Sequence, residues 1–124
     1  MKNTDNEYRI TVSNRQTIDS ETDTIEETAY GNYTEKNGKQ YITYKTENDG
    51  DKISSMIKID GNEILIKRTG SVNSSMTYKV DTKKEFLYHL PYGTVPMEIE
   101  TQRIVSKLDE NGGTIELVYT LTVQ

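Results

Sequence analysis

The chain has 124 residues, enough for one domain with a single core. It carries 15 Lys and Arg residues against 20 Asp and Glu residues, for a net charge of -5, and its scattered basic residues argue against nucleic-acid binding. Cysteine is absent, which excludes disulfides and thiolate chemistry and is compatible with a reducing cytoplasm.

The composition favours strands over helices. Nine tyrosines and many threonines and isoleucines suit a half-buried pleated surface, so we expect almost no helix. Residues 1–6 have no apolar segment and are expected to form a disordered tail, with residues 7–124 as one domain. Because the longest aliphatic run, Ile64–Ile66, is far too short to span a membrane, we expect a cytoplasmic protein that is neither secreted nor membrane-bound.

The first three strands follow from alternation and one turn signal. Apolar and polar residues alternate from Tyr8, which predicts a strand of about seven residues. Residues 15–24 are polar without periodicity and predict the longest loop. Strands over residues 25–35 and 39–47 are then joined by Asn37-Gly38, a strong hairpin signal.

The remaining strands continue as a meander with short connections. Two proline residues, Pro91 and Pro96, bracket a segment that we interpret as a break before the final hairpin. The last turn, residues 109–113, is rich in residues that tolerate positive φ. The strands predicted in this half of the chain cover residues 53–59, 63–68, 74–80, 84–90, 97–108 and 114–123.

About nine sequential antiparallel strands predict an all-β fold. Closing the sheet on itself removes exposed strand edges, so we favour an up-and-down β-barrel of about eight to ten strands over a two-sheet sandwich. A barrel of this size has room either for packed side chains or for one small ligand.

A series of short motifs, in this order and spacing, resembles the YwiB-like bacterial family. The motifs are Gly31-Asn32-Tyr33, Asn37-Gly38, Tyr41-Ile42-Thr43-Tyr44, Ile57-Lys58-Ile59, Arg68-Thr69-Gly70, Met76-Thr77-Tyr78, Pro91-Tyr92-Gly93 with Met97, and Gly113 with Tyr119 and Leu121. The resemblance extends from about Tyr8 to the end of the chain. It implies a calycin-like, lipocalin-type barrel, a superfamily that tends to bind small apolar ligands. The family has no assigned function, so it transfers no catalytic residue.

Three charged residues share parity with the apolar positions of their strands, which predicts that they face the interior: Glu27, Arg68 and Arg103. An inward arginine is costly unless it is paired. Each arginine therefore extends to solvent from a strand end, pairs with Glu27, or holds the anionic head of a small amphiphile. A bulge in the strand from Met97 would turn Arg103 outward and seat Ile104 inside.

For an amphiphile, the apolar tail would lie on methionines, including Met56, and on tyrosines. The tyrosines are equally compatible with core packing in which the hydroxyl reaches solvent or backbone. Tyr92, in the proline-bracketed loop, would project at a barrel mouth. The candidate ligand-binding residues are Arg68, Arg103, Tyr33, Met76, Tyr78, Tyr92, Met97 and Tyr119.

Other features argue for binding rather than catalysis. The sequence offers no Ser-His-Asp arrangement, metal cluster or glycine-rich phosphate loop, so we expect no enzyme activity, metal or cofactor. His89 has outward parity, and Gly31 has a structural role within its strand. The acidic segment 19–27 is a solvated connection or a lid over one barrel end.

The leading hypothesis is a cytoplasmic barrel that binds a small apolar or amphipathic molecule, with an anionic group if the arginines contact it. The alternative is a packed barrel that binds no small molecule. In that case an unclosed edge or the tyrosine-rich rim would contact another protein or form a homodimer.

Overall fold

The computed structural model of the protein describes residues 8–18 and 21–123; the predicted tail lies outside them. These residues contain nine strands and no helix, and no segment among them is a helix long and apolar enough to cross a membrane. The strands are β1 Tyr8–Ile18, β2 Glu21–Lys36, β3 Lys39–Asn48, β4 Asp51–Asp60, β5 Glu63–Gly70, β6 Ser74–Lys79, β7 Lys83–Leu90, β8 Gly93–Asp109 and β9 Gly112–Val123.

Within each sheet, consecutive strands pair in antiparallel fashion, and the described residues contain no helix, so the predicted all-β antiparallel fold is confirmed. Strands β1 to β6 form one sheet in chain order, and β7 to β9 form a second. The sheets do not join into one closed ladder within the described residues, in contrast to the prediction of a continuous barrel wall. Between β6 and the second sheet, isolated backbone bonds replace a ladder: the Thr101 carbonyl accepts from the Asp81 amide at 3.0 Å, and the Thr101 amide donates to the Thr82 carbonyl at 3.4 Å. The His89 amide also donates to the Asn73 carbonyl at 3.2 Å.

Side chains connect the sheets on the opposite side of the molecule. The Tyr8 hydroxyl donates to the carbonyl of Glu110 at 2.7 Å, and Gln40 Nε2 donates to the carbonyl of Leu108 at 2.9 Å. The tip of the β8–β9 hairpin is thereby held against β1 and β3. The two sheets enclose one interior, although no backbone ladder joins β1 to β9 within residues 8–18 and 21–123.

The predicted Asn37-Gly38 hairpin is present. Both residues have positive φ, 54° and 77°, the combination that a two-residue type I′ turn requires. Asparagine tolerates this conformation better than most residues, and glycine adopts it without steric cost. The local chemistry of two residues therefore sets the β2–β3 pairing, in which Tyr33 lies opposite Ile42.

The predicted loop over residues 15–24 is wrong, because β1 and β2 continue through it as a paired ribbon. The register runs to Ile18 opposite Glu21 and includes Thr17 opposite Thr22. Residues 21–24 and 26–28 are exposed whichever way they face. Apolar alternation along a strand reports burial on one side. Residues 21–24 and 26–28 are not buried on either side, so their sequence lacks this signal although its threonines favour strands. We call residues 13–18 and 21–28 the arm; the acidic segment 19–27, predicted as a solvated connection or a lid, overlaps the arm at residues 21–27.

The predicted break between Pro91 and Pro96 is also wrong. Pro91 and Tyr92 form a tight turn, and β8 begins at Gly93. Pro96 lies opposite Leu87 of β7, but the β8–β9 ladder starts only at Met97. Proline is tolerated here because the described β8–β9 ladder begins only after it, at Met97.

The core lies between the two sheets. Ile59, Ile64, Met76 and Tyr78 come from the first sheet and Ile99 from the second, and Ile64 and Ile99 are fully buried. Partly buried side chains of β8 and β9, including Ile104 and Leu117, pack against this cluster. The interior is therefore filled mainly by aliphatic side chains along its centre.

Candidate functional site

A row of polar side chains crosses the inner face of the first sheet. Ser55 lies opposite Arg68, and Arg68 lies opposite Ser74 on the next strand. Tyr44 extends the row on β3 as the partner of Ser55. Residues directly opposite in a ladder point to the same face, and this row has the same parity as the core residues of its strands. We call Ser55, Arg68 and Ser74 the Arg68 row.

The hydroxyl groups of this region retain hydrogen-bonding capacity. Ser55 is 5% exposed and Ser74 is 6% exposed, yet the Ser74 Oγ atom has no hydrogen-bond partner among the described residues. The Oγ1 atom of Thr101, 1% exposed, also has none. A buried hydroxyl without a partner costs about 1–3 kcal/mol, so a bound group that satisfied Ser74 would be favoured.

Arg68 occupies the centre of the row and is half-buried, consistent with the inward placement that its parity predicts. The ion pairs within the described ranges join Lys39 to Asp60, Lys52 to Glu47 and Arg103 to Glu116. Arg68 takes part in none of them, and the predicted pair with Glu27 is absent, since Glu27 is exposed on the arm. Arg68, whose guanidinium has five donors, is thus a partly buried residue of the inner face that pairs with no carboxylate in the described part of the chain.

Two tyrosines pack beyond the row. Tyr78 is 2% exposed, and its ring meets that of Tyr119 edge-on, with centroids 5.0 Å apart. The Tyr78 hydroxyl donates to the sulfur of Met76 at 3.8 Å. Burial raises the pKa of Tyr78 well above its usual value, with a smaller contribution from Tyr119, while the positive charge of Arg68 acts in the opposite direction. The structure therefore brings together four predicted residues: Arg68, Met76, Tyr78 and Tyr119.

The raised pKa of Tyr78 predicts lower stability in alkali. The unfolded chain releases this proton near pH 10, whereas the folded protein retains it to higher pH. The stabilising contribution is thus complete below about pH 10 and is lost as the pH rises. In urea titrations repeated at increasing pH above about pH 10, the free energy of unfolding should fall less steeply with pH for Tyr78→Phe than for the wild type. Tyr92→Phe, at a side chain 85% exposed, should keep the wild-type slope; equal slopes for all three proteins would contradict the expectation.

The predicted inward placement of Arg103 is wrong, because β8 contains a bulge. Thr101 lies opposite Tyr119 and Arg103 opposite Val118, so Gln102 is an extra residue between consecutive partners. One extra residue reverses the parity of the strand beyond it. The Arg103 side chain is 64% exposed, and its Nε atom lies 3.2 Å from Oε1 of Glu116. Ile104 instead packs against the core, as expected for a bulge at this point.

The other predicted binding residues lie apart from the Arg68 row. Tyr33 packs edge-on against Tyr8 at 6.1 Å, and its hydroxyl accepts from Gln40 at 2.8 Å and donates to Glu35 at 3.1 Å. Burial raises its pKa, and the Gln40 hydrogen bond opposes that increase. Tyr33 therefore belongs to the connection between the sheets.

Three further predictions concern Tyr92, Met97 and Met56. Tyr92 projects from the β7–β8 turn and is 85% exposed. Met97 is half-buried opposite Phe86, within the second sheet. Met56 lies on the outer face of the first sheet, since Ser55 and Ile57 on either side of it face inward. The prediction that Met56 contacts an interior ligand is therefore wrong.

The sequence interpretation missed Ser55 and Ser74, whereas strand parity does place Thr101 inward, where the structure has it 1% exposed. Ser55 shares parity with Ile53, Ile57 and Ile59, which could have revealed it as an inward polar residue. The pairing of both serines with Arg68 becomes apparent only from the register of three strands. Within the described ranges, no three His, Cys, Asp or Glu residues are grouped as metal ligands.

Comparisons with known proteins match almost the whole chain. Over 105 residues it is 29% identical to the uncharacterized beta-barrel protein YwiB of Bacillus subtilis (strain 168), an alignment that covers 85% of this chain and 74% of the relative. The crystal structure of ywiB protein from Bacillus subtilis superposes with a TM-score of 0.85 at 28% identity, covering 93% of this chain and 82% of that one. The family model described as a domain of unknown function, DUF1934, matches residues 10–124. The chain therefore belongs to the DUF1934 family.

Proposed function

We propose that this protein binds a small molecule through an anionic group held at the Arg68 row, and that it acts in the cytoplasm as a binding protein rather than an enzyme. One observation carries the proposal. Arg68, half-buried and without a carboxylate partner in the described chain, lies opposite Ser74, whose buried Oγ atom has no hydrogen-bond partner.

The chemistry of the row favours a carboxylate or a phosphate. A guanidinium can donate two parallel hydrogen bonds to such a group, and charge-assisted bonds of this kind are roughly twice as strong as neutral ones. The hydroxyls of Ser55 and Ser74 lie on either side of Arg68 and can donate to the remaining oxygens. Partial burial reduces screening by solvent, which strengthens the attraction.

The core limits the rest of the ligand. Met76 and Tyr78, which follow the row on β6, are already buried by protein atoms. A long apolar tail would have to displace them, so the ligand that fits best has a short apolar part. This restricts the sequence-based hypothesis of an amphiphile with its tail on the methionines and tyrosines.

Binding of simple anions tests the proposal. Isothermal titration calorimetry with acetate, octanoate and inorganic phosphate should show binding of at least one probe, and Arg68→Gln should weaken it by about tenfold or more because the charge is lost. Arg103→Gln is the matched control, since it removes an arginine of the outer face. Ser74→Ala should weaken binding severalfold without lowering the free energy of unfolding, because the removed hydroxyl has no partner in the free protein.

Two results would refute the proposal: no probe binds the wild type, or Arg68→Gln and Arg103→Gln bind alike. Native mass spectrometry of gently purified protein adds a test without chosen probes. A mass above that of the bare chain, absent from Arg68→Gln and present in Arg103→Gln, would support the proposal and indicate the class of ligand.

A second candidate is a packed module that binds another protein and no small molecule. The filled centre of the interior favours it, since Ile59, Ile64 and Ile99 are packed in one cluster. Failure of every probe, together with a bare mass for the purified protein, would favour this candidate.

A further inference from the structure

An open groove lies on the outer face of the first sheet, and Tyr44 and Ser55, whose side chains face the interior, also contribute to its lining. Its volume is about 650 Å³. Strand register places Lys45 opposite Ser54, and Met56 opposite both Thr43 and Lys67. Its lining is Tyr30, Gly31, Asn32, Thr43, Tyr44, Lys45, Ser54, Ser55, Met56, Lys67 and Thr69. We call this surface the basic groove.

The charge of the groove is opposite to that of the whole protein. Lys45 and Lys67 are exposed, and no Asp or Glu is present among the lining residues, although the chain carries a net charge of -5. Neither lysine takes part in the ion pairs found in residues 8–18 and 21–123. The groove is therefore a local positive surface whose two lysines would attract an acidic partner.

The arm has the complementary charge. Its β2 half, residues 21–28, contains Glu21, Asp23, Glu26 and Glu27 and no Lys or Arg, and these four side chains are exposed. Alternation along the strand places Glu21, Asp23 and Glu27 on one face. A two-stranded ribbon extending from a core is only marginally stable by itself, so it would gain from a surface that covers one face.

The spacing of the charges also fits. Lys45 and Lys67 are separated by two strand spacings and two residues along the strand, which corresponds to roughly 12 Å between their backbone positions. Asp23 and Glu27 are four residues apart on one face of an extended strand, roughly 14 Å. Long lysine side chains readily accommodate the difference, so two ion pairs can form at once.

The arm of the same chain is not placed to fill the groove. Strand β2 runs without interruption from the arm through Tyr30 to Asn32, which line the groove. The arm therefore extends away from the groove that its own strand helps to form. An arm supplied by a second copy of the chain meets no such constraint.

We propose that the protein self-associates by placing the acidic arm of one copy in the basic groove of another, with Asp23 and Glu27 facing Lys45 and Lys67. The contact needs no ligand in the interior and thus stands apart from the function proposed for the Arg68 row. In this contact, the arm of each copy is covered by the basic groove of another copy of the chain.

Sedimentation equilibrium with charge reversals tests this contact. The wild type should associate between micromolar and near-millimolar concentration, and more weakly as ionic strength rises. Lys45→Glu with Lys67→Glu should weaken association by about tenfold or more, as should Asp23→Lys with Glu27→Lys. An equimolar mixture of these two double variants should recover association, because each reversed surface then meets its complement.

The control is Lys83→Glu with Lys107→Glu, which changes the net charge by the same amount as the groove variant at exposed positions outside the groove. It should associate like the wild type, and circular dichroism should show that every variant remains folded. The proposal is overturned if the wild type stays monomeric, if the groove variant associates as the wild type does, or if the mixture fails to recover association.

Discussion

Ile64→Ala and Ile99→Ala should each lower the free energy of unfolding by about 2–5 kcal/mol. Both side chains are fully buried, Ile64 in β5 and Ile99 in β8, and they belong to one packed cluster. Truncation removes apolar contacts and leaves a cavity that the surrounding strands fill only in part. Domains of this size are stable by about 5–15 kcal/mol, so each loss is a large share of the total. Urea denaturation measures it.

The double variant tests whether the two sheets share a core. Residues packed in one cluster usually show coupling, so the combined loss should differ from the sum of the single losses by about 0.5 kcal/mol or more. Leu87→Ala is the control, because Leu87 is 53% exposed and its truncation should have little effect. If the double variant fails to fold, Ile64→Val and Ile99→Val leave smaller cavities, and each should lower the free energy of unfolding by about 0.5–1.5 kcal/mol. Strict additivity would contradict a single core.

Turns and strand identities could be predicted because their causes are local. Asn37 and Gly38 adopt positive φ by their own chemistry, so the β2–β3 hairpin follows from two letters of sequence. The alternation around Ile57 and Ile64 likewise reports one buried face. The arm lacks this signal because neither face of its described β2 half is buried, and the same polar sequence is compatible with a loop or a solvent-exposed ribbon.

The two arginines show when the alternation of a strand can predict which side chains face a site. Parity places Arg68 inward because β5 pairs regularly with both neighbours from Glu63 to Arg68. The same reasoning fails for Arg103, because the bulge at Gln102 lies within a polar segment where either register leaves the alternation plausible. The unpartnered Ser74 hydroxyl is a property of three assembled strands, and no short stretch of sequence contains it.

Gly31→Ala should destabilise the protein by about 3 kcal/mol or more, at the upper end for overpacking a filled site. Gly31 is buried within β2, and a Cβ atom added there would overlap the backbone carbonyl oxygen of Thr43. It would also lie 2.8 Å from both the Cδ1 atom of Ile10 and the Cβ atom of Tyr44. A side chain can rotate away from such a contact, but the carbonyl of a paired strand cannot without disturbing the β2–β3 ladder. Thermal or urea unfolding measures the loss.

The matched control is Gly38→Ala, because a Cβ atom at Gly38 meets nothing within 4 Å. Its positive φ makes alanine cost about 1–2 kcal/mol through backbone conformation alone. Gly31 does not have a positive φ. The free energy of unfolding lost by Gly31→Ala, compared with that lost by Gly38→Ala, therefore reports the steric overlap of the added Cβ atom inside the first sheet. A Gly31→Ala protein as stable as Gly38→Ala would mean that β2 and β3 separate easily at this point. The close approach that positions Tyr44 beside the Arg68 row would then not be a fixed feature of the fold.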